Sequence, residues 1–386
     1  MLAETTHAQP IWVSTHQGLK SLIEDLQNQP RVAVDTEANS LHAYHERVCL
    51  IQFSTPTKDY LVDPLSITDL SALEEIFSNP RIEKVFHAVD YDVYGLNRDY
   101  GFNINNLFDT MIAARTLGYK SLGLGNLLFE KFEIELNKRF QKADWGQRPL
   151  PEDLIDYARL DTHYLLALRD TLEQELHEKG RWELAHEDFT RASQVNGHNG
   201  DPRERWQRIS GQQDLDRRQQ TILHELCLVR ERVAEKLDRP LFKVVSDAHL
   251  LQLAQKSPQK ISELNELGLS ERQIHRLGKF LLEAIQRGQT APLVRATEVD
   301  RAPEAVVNRL QKLKTWRKET AQKMEVESDV ILSRNVMQTI AEKNPRTLDE
   351  LASLMREFPW RLAQYGPDIL DALHPKAAAK KVQEEA

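Results

Sequence analysis

Apolar positions in the first half of the chain follow two rhythms. Short β-type runs at residues 11–14, 31–38, 48–54, 58–63, 84–87 and 105–109 are separated by helical spacing at 15–27, 70–78, 91–100, 122–132 and 152–179. Thr55-Pro-Thr57 between two of the runs suits a hairpin-like connection, and Gly101 stops the helix before it. This alternation predicts a mixed α/β unit at residues 11–191, behind an N-terminal tail at 1–10.

Periodicity fades between residues 192 and 213, where Asn196-Gly-His-Asn-Gly-Asp-Pro202 gathers turn formers, so a linker is expected there. Beyond it the chain repeats itself. Arg317 and Ala321 stand 87 residues after Arg230 and Ala234, and the same spacing carries Ala254 onto Ala341, Pro258 onto Pro345 and Leu264 onto Leu351. Gly278 needs one residue more to reach Gly366. Two copies of one small all-α domain follow, at 214–290 and 303–374, with a linker at 291–302 and a polar tail at 375–386.

Composition narrows the class. The chain has 386 residues, 28% charged and 40% hydrophobic, with no apolar run near the roughly 20 residues that span a bilayer. Its first residues lack the basic start and apolar stretch of a secretion signal, so a cytoplasmic protein is expected. Cys49 and Cys227 stand far apart, which excludes a disulfide scaffold or a four-thiolate zinc site. A net charge of −8 argues against wholesale coating by polyanions, yet leaves room for a local basic groove.

The chemistry begins at Val34-Asp35-Thr36-Glu37. Side chains two apart on a strand share a face, so Asp35 and Glu37 are placed to grip one hard divalent ion, which relieves their repulsion. A solvated strand end gives the same triplet, so its meaning depends on further acids. Asp92 ends Phe86-His87-Ala88-Val89-Asp90-Tyr91-Asp92 near a helix start, where capping would also explain it. Tyr157 and Asp161, four apart on a helix, share a face. Asp109 opens a helical run and reads as a cap.

The set Asp35, Glu37, Asp92, Tyr157 and Asp161 resembles the DEDD superfamily of 3′→5′ exonucleases, in the branch with tyrosine in its third motif. Lys138-Arg-Phe-Gln-Lys-Ala-Asp144-Trp145, with Arg148-Pro-Leu150, is similar to the segment before that motif in the bacterial ribonuclease D family. The two repeats look like the HRDC domains that follow it there. The resemblance implies an RNase H-like exonuclease domain, a mixed sheet flanked by helices, followed by two HRDC domains. It implies two divalent ions, Mg²⁺ or Mn²⁺, with Asp35 bridging both, Glu37 and Asp161 on the ion that activates water, and Asp92 serving the leaving-group ion. Tyr157 would orient the attacking water, and His87 would be structural. The expected activity is 3′-end trimming of RNA, with transfer RNA precursors as partners and nucleoside 5′-monophosphates as products.

A DNA-directed exonuclease on the same site is the nearest alternative, because phosphodiester chemistry does not distinguish the sugars. A catalytically silent RNA-binding module is disfavoured by five intact side chains. A zinc site at His42, His45 and Cys49 lacks a second ligand pair, and no Walker A loop or Gly-x-Ser-x-Gly elbow is present. In the second repeat, Arg309, Lys312, Lys314, Arg317 and Lys318 around Trp316 suit phosphate contact, although Trp316 itself reads as a core residue.

Overall fold

The structure, a computed structural model, describes residues 9–137, 139–194, 202–295 and 303–375. Lys138, most of both expected tails and the expected linker residues 195–201 and 296–302 lie outside the described residues.

The first unit is built on a six-stranded sheet of order β1-β4-β3-β2-β5-β6. Its strands are β1 (Ile11–Val13), β2 (Arg31–Ala38), β3 (Val48–Ser54), β4 (Asp59–Val62), β5 (Glu83–Phe86) and β6 (Leu107–Asp109). β2 lies centrally, antiparallel to β3 and parallel to β5. Its Val32, Ala33 and Val34 are buried, as expected of a strand covered on both faces. The helices are α1 (His16–Leu26), α2 (Glu74–Phe77), α3 (Asp90–Tyr100), α4 (Thr110–Leu117), α5 (Leu124–Phe132), α6 (Glu152–His163), α7 (Leu165–Glu178) and α8 (Trp182–Ala192). The helical stretch expected at 152–179 is interrupted at Tyr164, where α6 ends and α7 begins.

The repeats fold alike. The first is α9 (Arg217–Leu237), α10 (Leu241–Val244), α11 (Asp247–Lys256), α12 (Ile261–Glu266) and α13 (Glu271–Thr290). The second is α14 (Glu304–Met324), α15 (Ser328–Ile331), α16 (Arg334–Lys343), α17 (Leu348–Leu354) and α18 (Pro359–Leu373). Equivalent residues perform equivalent tasks. Arg230 donates to the Val245 carbonyl as Arg317 does to that of Leu332, and Ser246 caps α11 as Ser333 caps α16. A Cβ on Gly278 would meet Leu264 at 3.2 Å, and one on Gly366 would meet Leu348 at 2.9 Å, so both glycines let the closing helix approach its neighbour. Part of the expected linker belongs to the first repeat's packing, since Trp206 and Ile209 are buried in its core. A lone tryptophan amid polar residues gives no periodic signal to find.

Both repeats touch the first unit. After β2 the chain turns through a loop closed by Asn39, whose side chain accepts from the Arg47 amide. Asp238 at the end of α9 accepts from the Tyr44 and His45 amides on that loop, and the Tyr44 hydroxyl donates to Glu231. The second repeat docks on α8, where Arg361 forms a buried ion pair with Glu187 and reaches Asp188 at 2.7 Å. Arg115 on α4 pairs with Asp329, and Arg181 donates to the Met324 carbonyl.

Candidate active site

The carboxylates are positioned by the sheet and by one helix. Asp35 and Glu37 sit at the C-terminal end of β2, opposite Gln52 and Leu50 of β3, just before a register shift at Glu37/Ala38. Helix α6 lies across β2, β3 and β4 with Leu154, Ala158 and Thr162 buried beneath it. Its rotation is fixed by polar contacts with the sheet. Thr162 and Ser54 hydroxyls lie 2.7 Å apart, and Asp59 meets Arg159 at 3.4 Å and His163 at 2.8 Å. The same rotation turns Tyr157 and Asp161 toward Asp35 and Glu37.

One carboxylate oxygen from each of Asp35, Glu37 and Asp161 lies within 4.8 Å of the others. Among the described residues this is the one group of three or more such side chains that could hold an ion; His42, His45 and Cys49 form none. The donor set is all oxygen, which fits Mg²⁺ or Mn²⁺ and not a soft ion.

Asp92 arrives from the other side. It lies in the first turn of α3, whose N-cap is Val89, so it is not the helix cap. Its Oδ1 instead accepts a 2.6 Å hydrogen bond from the Thr36 hydroxyl, and the side chain is buried. Asp109 does cap, accepting from the Met111 and Ile112 amides of α4 and from the Val89 amide. The His87 ring hydrogen-bonds Thr110, and burial pushes it down to about 4, so it stays neutral.

The acids strain against one another. Burial, then the charges of Asp92, Asp161 and Glu37, holds Asp35 well above the usual carboxylate range. Burial and the charges of Asp161 and Asp92 do the same to Glu37. Asp161 is pushed up to about 7 by burial. Asp92 also reaches about 7, because burial outweighs its hydrogen bonds to Thr36. Such a cluster calls for positive charge. The Tyr157 phenol is driven well above its ordinary value by burial and then by Asp161, Glu37 and Asp35, so it stays protonated. Its ring packs 6.0 Å from Phe140 and 6.0 Å from Trp145, and Arg148 ties the preceding segment to Asp63 and to the Cys49 carbonyl.

Sequence reasoning overlooked Thr36 and Gln52. Thr36 points to the opposite face from its acidic neighbours, so spacing alone gave it no role. Gln52 is fully buried across from Asp35, and neither atom of its amide has a partner within the protein. A single glutamine inside an apolar strand was the available signal.

The cations expected to grip RNA in the second repeat are mostly engaged. Arg309, Lys312 and Arg317 donate to the carbonyls of Ala341, Leu373 and Leu332. Trp316 packs against the second repeat's core beside Tyr365, as a core residue should.

Comparison with known proteins agrees with this architecture. Residues 10–177 match the 3′-5′ exonuclease family model, and residues 219–285 and 306–373 each match the HRDC domain. The crystal structure of Escherichia coli RNase D, described as an exoribonuclease involved in structured RNA processing, superposes with a TM-score of 0.71 at 26% identity, covering 91% of this chain and 100% of that one. The catalytic core of RRP6 from Trypanosoma brucei gives 0.64 at 29% identity over 74% of this chain and 81% of that one. The exosome complex exonuclease RRP6 of Saccharomyces cerevisiae is 42% identical over 173 residues, 45% of this chain and 24% of its own length. The chain thus spans about a quarter of that curated relative. With an exonuclease domain followed by two HRDC domains, the chain belongs to the DEDD family of 3′-5′ exonucleases that carry HRDC domains.

Proposed function

We propose that the chain is a metal-dependent 3′→5′ exoribonuclease that trims RNA 3′ ends and releases nucleoside 5′-monophosphates. The observation that carries the reading is the convergence of Asp35, Glu37 and Asp161 on one point, with Asp92 held close by Thr36. In this reading Asp35, Glu37, Asp92 and Asp161 hold two divalent ions, Mg²⁺ or Mn²⁺. When bound, such ions supply positive charge to the scissile phosphate and to the departing 3′-oxygen.

The side chains do the rest. Asp35 and Glu37 fix the place of the phosphate relative to β2, and Asp161 closes the cluster from α6. The Tyr157 phenol, still protonated, orients the attacking water by hydrogen bonding and does not act as a base. Attack on phosphorus breaks the bond to the 3′-oxygen, which leaves with a proton.

Transfer RNA precursors are the proposed substrates, supported by the likeness to an enzyme of structured RNA processing. The cytoplasm is the proposed compartment; no described helix is long and apolar enough to cross a membrane. The division at 11–191, 214–290 and 303–374, with linkers at 192–213 and 291–302, belongs to the same proposal, with Trp206 and Ile209 of the first linker packed into the first repeat.

Digestion of 5′-labelled RNA with a free or a blocked 3′-hydroxyl, beside the matching DNA, tests the reading. A ladder shrinking from the free 3′ end of RNA, present with Mg²⁺ or Mn²⁺ and absent with chelator, is expected. Shortening of DNA alone would replace it with a DNA-directed enzyme.

A further inference from the structure

Strand β3 is buried at every position from Val48 to Ser54, yet it carries the polar side chains of Gln52 and Ser54, two apart and so on one face. Leu50 shares that face. Helix α6 covers it, since its Leu154 and Ala158 lie in one buried cluster with Leu50 and Leu61. Cross-strand partners point to the same side of a sheet, so Asp35 of β2 and Leu61 of β4, both directly opposite Gln52, flank its side chain. Gln52 therefore lies under α6, beside an acid of the site.

The two polar residues of β3 are treated differently. The Ser54 hydroxyl donates to Asp59 and lies 2.7 Å from that of Thr162. Gln52 is fully buried, and neither its Nε2 nor its Oε1 has a partner within the protein. Among the described residues it is the one side chain with two such orphaned atoms. A buried amide without partners is disfavoured, and an apolar side chain of the same size would fill the space without that penalty. Its neighbours on the sheet narrow what it serves. Leu50 and Leu61 offer no acceptor, and the Ser54 hydroxyl is engaged. Side chains directly opposite on antiparallel strands have Cβ atoms about 4.5–5.5 Å apart, which leaves the Asp35 carboxylate as the acceptor within reach of the amide.

We infer that Gln52 is a positioning residue for Asp35: with divalent ions in the site, its Nε2 donates to the Asp35 carboxylate and keeps that side chain in place against them. The inference rests on the proposed function for what Asp35 holds. Fully buried, Gln52 does not meet RNA and acts through Asp35 alone. A donor of this kind fixes the orientation of a ligand, as Thr36 does for Asp92.

The test is Mn²⁺ titration by calorimetry, with melting curves in Mn²⁺ and in chelator, for the full chain and its Gln52→Met variant. The variant removes the amide at similar size. It should bind Mn²⁺ about 10–100-fold more weakly and gain less in Tm from the ion than the wild type does. On RNA its kcat should fall while KM stays unchanged, because the lost contact is not made with the substrate. Leu61→Met disturbs the same layer from the other side of Gln52 and should leave Mn²⁺ affinity and kcat as they are. Equal Mn²⁺ affinity and equal gain in Tm for the wild type and Gln52→Met would overturn the inference, and so would the same losses in Leu61→Met, which would reduce Gln52 to packing. A wild type that binds Mn²⁺ but degrades no RNA would end the proposed activity, while the titration would still decide the role of Gln52. A wild type that binds no Mn²⁺ would overturn both.

Discussion

Thr36 and Asp92 are joined by a 2.6 Å hydrogen bond, so the residue between the two acids of β2 holds the acid delivered by α3. Removing the hydroxyl frees Asp92 to rotate away from Asp35. Thr36→Val keeps the shape and should cost about 10–100-fold in activity or metal affinity, the usual penalty for losing a ligand's supporting partner. Mn²⁺ titration by calorimetry beside initial rates would check it. Unchanged affinity and rate would show that the bond has no bearing on Asp92.

The acid cluster makes metal binding and stability depend on pH together. Asp92 and Asp161 titrate at about 7 when folded, against about 4 for an unfolded carboxylate. Between these values the folded state holds more protons than the unfolded one, so the metal-free protein loses stability as pH rises through that window. A divalent ion binds the deprotonated acids and reverses the loss. Mg²⁺ or Mn²⁺ should therefore raise Tm more at about pH 8 than at about pH 5. Scanning calorimetry with metal or chelator at both values decides it; an equal shift would contradict the account.

Much of the candidate site's geometry was legible in the chain. The two-residue spacing of Asp35 and Glu37 and the four-residue spacing of Tyr157 and Asp161 are local geometry, and the structure turns both pairs toward one another. The 87-residue repeat was readable because Arg230 and Arg317 perform the same hydrogen bond. Contacts between distant segments were not readable. No periodicity tells that Thr36 meets Asp92, that Trp206 joins the core of the first repeat, or that Glu187 waits for Arg361.

That last pair sets the attachment of the second HRDC domain. Arg361 and Glu187 are both buried, and burial alone would disfavour either charge. Arg361→Ala leaves Glu187 without its partner and should destabilise the protein by about 3–5 kcal/mol. Chemical denaturation together with limited proteolysis at the domain junction would measure it. A loss within experimental error would mean that the docking is held elsewhere.

Gln52 presents the opposite case. Its amide is buried without a protein partner, a state that costs about 1–3 kcal/mol. Gln52→Met removes the polar group at similar size and should raise Tm in chelator, while lowering turnover if the amide serves the site beside Asp35. A lower Tm would show instead that water already satisfies the amide in solution.

The central claim is that the acids of β2 and α6 cut RNA from its 3′ end. Its most direct test is the single-turnover rate of 3′-end shortening of labelled RNA at saturating Mn²⁺, for the wild type and for Asp35→Asn. The variant should fold, melt at a higher temperature than the wild type in chelator because a buried acid whose charged form burial penalises is gone, and shorten no RNA. An Asp35→Asn protein that shortens RNA at the wild-type rate would contradict it.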